Sequence, residues 1–293
     1  MLAIAAMAVL LGDVWHGENS AALAVAYVVL RSLMLALYGR AWLAVPEARP
    51  LIRVYGPGYS VAVAIWLASL AVDTPARYAM WGVALALDLS LPPLSTSLHR
   101  RVPTHGAHVP ERWALFTMVV VGESVVAVAL ETAGADWRLA SAAAAVLGFT
   151  AICAVWWLYF DRQANVVLQG TTPAPVVYSY AHLPLLMGLA ATSAGVILLI
   201  DHAGGDRLGL AAAAALLGGV ALFIVSLVVT RLVTVQHGRR RLGVSLKLGT
   251  AVILLGLIFA EAVLPPLALA GMLAGVLVLF VFLERTLFPP SPI

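Results

Sequence analysis

Nine apolar runs of 17 to 23 residues follow one another along this chain, separated by short polar breaks. They are Ala21–Leu43, Tyr55–Val72, Arg77–Ser95, Trp113–Ala133, Leu139–Phe160, Tyr178–Ile200, Leu208–Thr230, Leu248–Leu264 and Leu267–Leu283. About 20 helical residues cross ~30 Å of hydrocarbon, and a helix satisfies its own backbone there. The runs therefore specify an all-α, polytopic transmembrane helix bundle. A 293-residue chain that is 62% hydrophobic and 11% charged has no way to cover a water-exposed surface with polar groups. The last two runs meet at Pro265-Pro266 and read as a tight C-terminal helical hairpin over 244–285. Met1–Leu11 holds only eleven residues, about 16 Å of helix, too few to span. It lacks a basic leading segment and a small-residue cleavage pattern, so it reads as part of a span whose beginning is missing. No soluble domain interrupts this single membrane domain, 1–293.

Loop charges give an independent check on the span order. Alternate breaks carry Arg40, Arg49 and Arg53; Arg100, Arg101 and Arg112; Arg162; Arg231, Arg239, Arg240, Arg241 and Lys247; and Arg285. The intervening breaks hold Arg77, Arg138 and Arg207 among several acids, and Arg31 lies inside a span. Thirteen basic residues thus face one side and three the other. The positive-inside rule places the first side, and with it the C-terminus, in the cytoplasm. The expected location is the bacterial cytoplasmic membrane, with the lipid bilayer as partner. Topology accounts for the net charge of +3, which does not indicate a nucleic-acid partner. A lone cysteine, Cys153, excludes an internal disulfide framework and a cysteine-based metal knuckle.

Three ionisable residues share a depth. Arg31 and Glu123 lie ten residues into their runs and Asp88 lies eleven into its own, so all three fall near the midplane. A charge there costs roughly 2.5–3.5 kcal/mol on insertion scales and is usually paired, neutralised or functional. One cation against two carboxylates leaves one negative charge over, which a proton or a bound cation would balance. A proton- or cation-responsive cluster and a structural ion pair that sets helix register both remain open. Pro92-Pro93, one turn after Asp88, free backbone carbonyls; a broken helix at an ion site and a helix simply ending are the two readings, the second favoured.

A second set lies toward the cytoplasmic face. His105, His108 and Glu111 recur every third residue, a donor set able to hold zinc or another divalent cation. Pro103, Gly106 and Pro110 oppose a helical alignment, and Pro110-Glu111 also suit the first turn of a helix. Trp156-Trp-Leu-Tyr-Phe-Asp161 reads as an interfacial aromatic belt. Asp161 and His182 fall near the same interface and are close enough in depth to touch. The small residues between Gly188 and Gly195 favour close helix contact. No hydrolase elbow, phosphate loop, zincin or dinucleotide motif occurs, and no cofactor is predicted beyond a possible divalent cation.

Val109-Pro-Glu-Arg-Trp-Ala-Leu-Phe-Thr-Met-Val-Val-Val-Gly-Glu-Ser-Val-Val-Ala-Val128 resembles the signature helix of the bacterial low temperature requirement protein A (LtrA) family. Trp156–Asp161 resembles its second motif and Tyr180-Ala-His182 its Tyr-x-His. Ala26–Arg31, Ile65–Leu67 and Trp81–Asp88 match in order, so the likeness covers about 20–230. The acidic and aromatic first span of the family is absent, and Trp113-Ala114 replaces Phe-Gly. The resemblance marks Arg31, Asp88, His108, Glu111, Arg112, Glu123, Asp161 and His182 as motif positions and carries no activity. The leading expectation is a transporter or channel-like protein dependent on protons or a small cation, working through Arg31, Asp88 and Glu123. The alternatives are an intramembrane enzyme with a site at His108, Glu111, Arg112, Asp161 and His182, and a non-catalytic scaffold or lipid sensor.

Overall fold

A computed structural model describes residues 6–7, 9–11, 19–99, 108–134, 138–163, 168, 174–234 and 240–287. The described residues hold helices and no strand, as the apolar runs dictate. The chain divides into two compact units, residues 1–104 and 105–293.

The first unit contains α1 (Ser20–Ala44), α2 (Arg49–Ala68), α3 (Ala76–Leu94) and a short helix Thr96–His99. Asn19 precedes α1 at φ 59°, a left-handed conformation that asparagine tolerates better than most residues. An aromatic stack locks the three helices together. Tyr27 of α1 stacks on Trp66 of α2 at 4.2 Å between centroids, and Trp66 stacks on Trp81 of α3 at 4.8 Å. Leu23, Ala24, Ala62 and Ala84 complete this core, and Met7 and Leu10 pack against it. Arg77 clips one end: Nη1 donates to Ser20 Oγ at 2.6 Å, and Nε reaches the carbonyls of Ser69 and Val72. The helix α3 carries Pro92 and Pro93 in its last turn and ends at Leu94, as expected of a helix ending there.

The second unit contains α4 (His108–Gly134), α5 (Leu139–Gln163), α6 (Ala174–Asp201), α7 (Leu210–Thr234), α8 (Arg240–Phe259) and α9 (Pro266–Leu287). Its centre is the α6–α7 contact, where glycine lets the backbones touch. A methyl group on Gly195 would lie 2.4 Å from the Leu216 nitrogen, and one on Gly188 would lie 2.6 Å from the Gly219 carbonyl oxygen. Within α7 the turn Ala214–Gly218 widens to a π-helix, with Leu216 and Leu217 fully buried. Gly209 opens α7 at φ 87°, and its N–H donates to Glu261 at 3.0 Å. The C-terminal legs differ from a simple hairpin: α8 packs chiefly on α7 and α9 on α5, with less contact to each other.

Among the described residues, eight helices are long and apolar enough to cross a membrane. The ninth long helix, α3, was counted as a span from sequence but is not in that set; Arg77, Asp88 and two prolines dilute its 19 residues. Large apolar side chains stay on the outer faces, with Leu37 64% and Val252 68% exposed. Lipid, not water, suits such a surface.

Gly195→Leu should force α6 and α7 apart and lower stability by about 1–3 kcal/mol or more. Gly256→Ala, which meets nothing within 4 Å, should be tolerated. Thermal melts of the two purified variants beside wild type check both.

Candidate functional site

The midplane residues of the first unit meet around one carboxylate. Asp88 on α3 is 4% exposed. Its Oδ2 accepts hydrogen bonds from the Tyr27 hydroxyl at 2.6 Å and from Arg31 Nη2 at 2.5 Å. Tyr27 and Arg31 are one helical turn apart on α1, so both reach across to α3 together. Arg31 Nε also donates to the Tyr27 hydroxyl at 3.0 Å, closing a three-membered network. The guanidinium carbon sits 4.8 Å from the Tyr59 ring centroid of α2, a cation–π placement. Tyr59 in turn packs on Tyr38 and Tyr55, with centroids 5.9 and 5.4 Å away. Asp88 Oδ1 and Trp66 Nε1 are buried with no hydrogen-bond partner among the described residues.

Glu123 belongs to the second unit. It is exposed on α4 and makes no hydrogen bond or ion pair among the described residues. Of the Arg31–Asp88–Glu123 cluster expected from sequence, the Arg31–Asp88 pair forms within the first unit, and Glu123 belongs to the second.

The second candidate set separates into different environments. His108 and Glu111 are exposed, and Arg112 Nε donates to His108 Nε2 at 2.9 Å. Asp161 pairs with Arg285 at 4.0 Å, and the Arg285 guanidinium lies 4.5 Å from the Trp157 ring centroid. His182 is fully buried. Its Nδ1 lies 2.7 Å from the Tyr178 carbonyl oxygen, which only accepts, so Nδ1 carries the hydrogen. Nε2 then accepts from the Tyr159 hydroxyl at 2.9 Å. Both ring nitrogens are used, which leaves none for Asp161. Trp113 stacks on the imidazole at 5.0 Å and anchors its own N–H on Ser179. Tyr159, expected in an interfacial belt, is instead wholly buried. Among the described residues no three His, Cys, Asp or Glu side chains group to hold a metal ion; His105, Pro103 and Gly106 lie outside those residues, as does Arg239.

One charge cluster was not anticipated. Lys247 on α8 donates to Glu284 Oε1 on α9, and Arg231 Nη1 of α7 approaches the same oxygen at 3.6 Å. Lys247 and Glu284 are 4% and 3% exposed. Arg231 and Lys247 read as loop charges because they flank apolar runs, and a lone terminal Glu gave no signal. The 37-residue separation of Lys247 and Glu284 is bridged only once α8 and α9 are folded.

Comparison with known proteins now decides the lineage. The family model described as "Bacterial low temperature requirement A protein (LtrA)" matches residues 1–282. The chain belongs to the LtrA family. It is a multi-pass integral membrane protein, and its LtrA match takes in both units. A curated relative from Rhizobium meliloti (strain 1021), described as an uncharacterized protein, is 26% identical over 163 residues. That alignment covers 49% of this chain and 38% of the relative, so the chain spans well under half of that LtrA-like protein's length. No solved structure matches the chain.

Removing the Glu284 carboxylate should take away the counter-charge that Lys247 and Arg231 share. Glu284→Ala is expected to destabilise it by about 3–5 kcal/mol, and Glu284→Ala combined with Lys247→Met should recover part of that loss. Unfolding of the purified variants in detergent measures both effects.

Proposed function

We propose that this LtrA member is a proton-dependent transporter or channel-like protein of the bacterial cytoplasmic membrane, switched by proton uptake at Asp88. The observation that carries this reading is the unequal treatment of the two carboxylate oxygens. Oδ2 receives both Tyr27 and Arg31, whereas Oδ1 is buried with nothing to accept among the described residues. A purely structural buried ion pair gains stability only when its remaining lone pairs are satisfied. A proton on Oδ1 neutralises the acid and weakens its hold on Arg31 without any new donor. A metal cation fits less well, because the Arg31 guanidinium already lies 2.5 Å from Oδ2. The charged and titratable groups around Asp88 are Arg31 and Tyr27 from α1 and Tyr59 from α2.

Glu123 is the second proton-exchanging carboxylate in this reading. A carboxyl side chain midway along a spanning helix, exposed and without a partner among the described residues, calls for water or a proton. The cytoplasmic placement of the C-terminus rests on the thirteen-to-three division of basic residues. The enzyme reading draws less support, because His108, Asp161 and His182 each satisfy different partners.

Wild-type protein in detergent should melt at lower temperature as the pH falls, because protonation of Asp88 breaks its ion pair. Asp88→Asn should flatten that response. In proteoliposomes, Asp88→Asn and Glu123→Gln should insert normally and lose proton-gradient-driven flux, read with an entrapped pH dye. A wild-type melting curve indifferent to pH, or normal flux in both variants, contradicts the proposal.

A further inference from the structure

Arg31 is only partly committed to Asp88. Nε and Nη2 have partners, but Nη1 makes no hydrogen bond among the described residues, and the side chain keeps 19% exposure. Its flat face is supported by Tyr59, whose ring continues into the Tyr38 and Tyr55 rings as one aromatic wall. A guanidinium edge beside such a wall has the chemistry to hold a carboxylate with an apolar body. At present the protein's own carboxylate, Asp88, occupies the other edge.

Building on the proton-switch reading above, the consequence of protonating Asp88 falls on Arg31. Once Oδ1 takes a proton from water, the guanidinium loses its counter-ion at a depth where a lone charge is costly. Another anion must then face it. We infer that Arg31, with the Tyr27 hydroxyl and the Tyr59 wall, binds the carboxylate of a small apolar monocarboxylate when Asp88 is protonated. Arg31 Nη1, and the Tyr27 hydroxyl once released from Asp88 Oδ2, are the donors that would hold the incoming carboxylate. The charge balances in both states. Arg31 with ionised Asp88 is neutral, and Arg31 with protonated Asp88 and one bound monoanion is neutral as well. One proton and one monocarboxylate therefore bind together, with no net charge added to the site.

The test uses the full chain in detergent, with benzoate and acetate as probes and benzamide and chloride as controls, at acidic and neutral pH. Benzoate should raise the melting temperature at acidic pH, with affinity about tenfold tighter than at neutral pH. Acetate, lacking a ring to lie on Tyr59, should act more weakly, and benzamide and chloride not at all. Arg31→Gln should lose the benzoate response. Since that variant risks misfolding, Asp88→Asn serves as the second: it mimics the protonated acid and should bind benzoate equally at both pH values. If Asp88→Asn removes the pH response of melting but no carboxylate shifts the melt at any pH, this inference fails while the proton switch stands. If Asp88→Asn leaves the pH response unchanged, the proton switch itself fails. A benzoate shift that survives in Arg31→Gln, or is matched by benzamide, marks nonspecific partitioning and overturns the inference.

Discussion

Charge neutrality inside the hydrocarbon is the constraint that organises this protein. Water cannot solvate an ionised side chain at the midplane, so each one must find a counter-charge, shed its charge or reach a wet surface. Arg31 and Asp88 meet the requirement together, with Tyr27 as a shared third member. In the second unit Glu284 gives Lys247 and Arg231 a shared counter-charge. His182 meets it as a neutral imidazole, with one nitrogen donating to a carbonyl and the other accepting from Tyr159. Glu123 meets it through no protein partner among the described residues, which is why it enters the proposed mechanism rather than the structural account.

The two units solve packing differently, and the difference bears on function. In the first, aromatic rings fill the space between helices, and Trp66 and Tyr59 set the walls around the ion pair. Asp88 Oδ1 and Trp66 Nε1 lie buried there without a hydrogen-bond partner among the described residues. In the second, Gly188, Gly195 and Gly219 bring α6 and α7 into backbone contact. Aromatic packing in the first unit and glycine packing in the second are different solutions to helix contact.

The helices were legible because the apolar runs match the thickness of hydrocarbon, and each of the nine runs overlaps a long helix. The Arg31–Asp88 contact was legible as a shared depth, since opposite charges ten and eleven residues into their runs have few other solutions. What depth does not encode is direction around the helix axis. That is why Asp161 was expected near His182, whose two ring nitrogens are taken by Tyr178 and Tyr159. The Lys247–Glu284 bridge was hidden for a related reason. Charges at the ends of apolar runs look like topology signals, and only the folded positions of α8 and α9 turn them inward. Tyr159 was misplaced in a headgroup belt because an aromatic cluster at a span end carries no mark of which ring faces the core.

The central claim is that Arg31 and Asp88 are energetically linked and that a proton breaks the link. A double-mutant cycle of Arg31→Gln and Asp88→Asn, measured by unfolding in detergent at neutral and acidic pH, addresses it most directly. The account predicts a coupling of about 0.5–3 kcal/mol at neutral pH that vanishes in acid, where the wild-type pair is already broken. Strict additivity at neutral pH, or a coupling unchanged by acid, would contradict it.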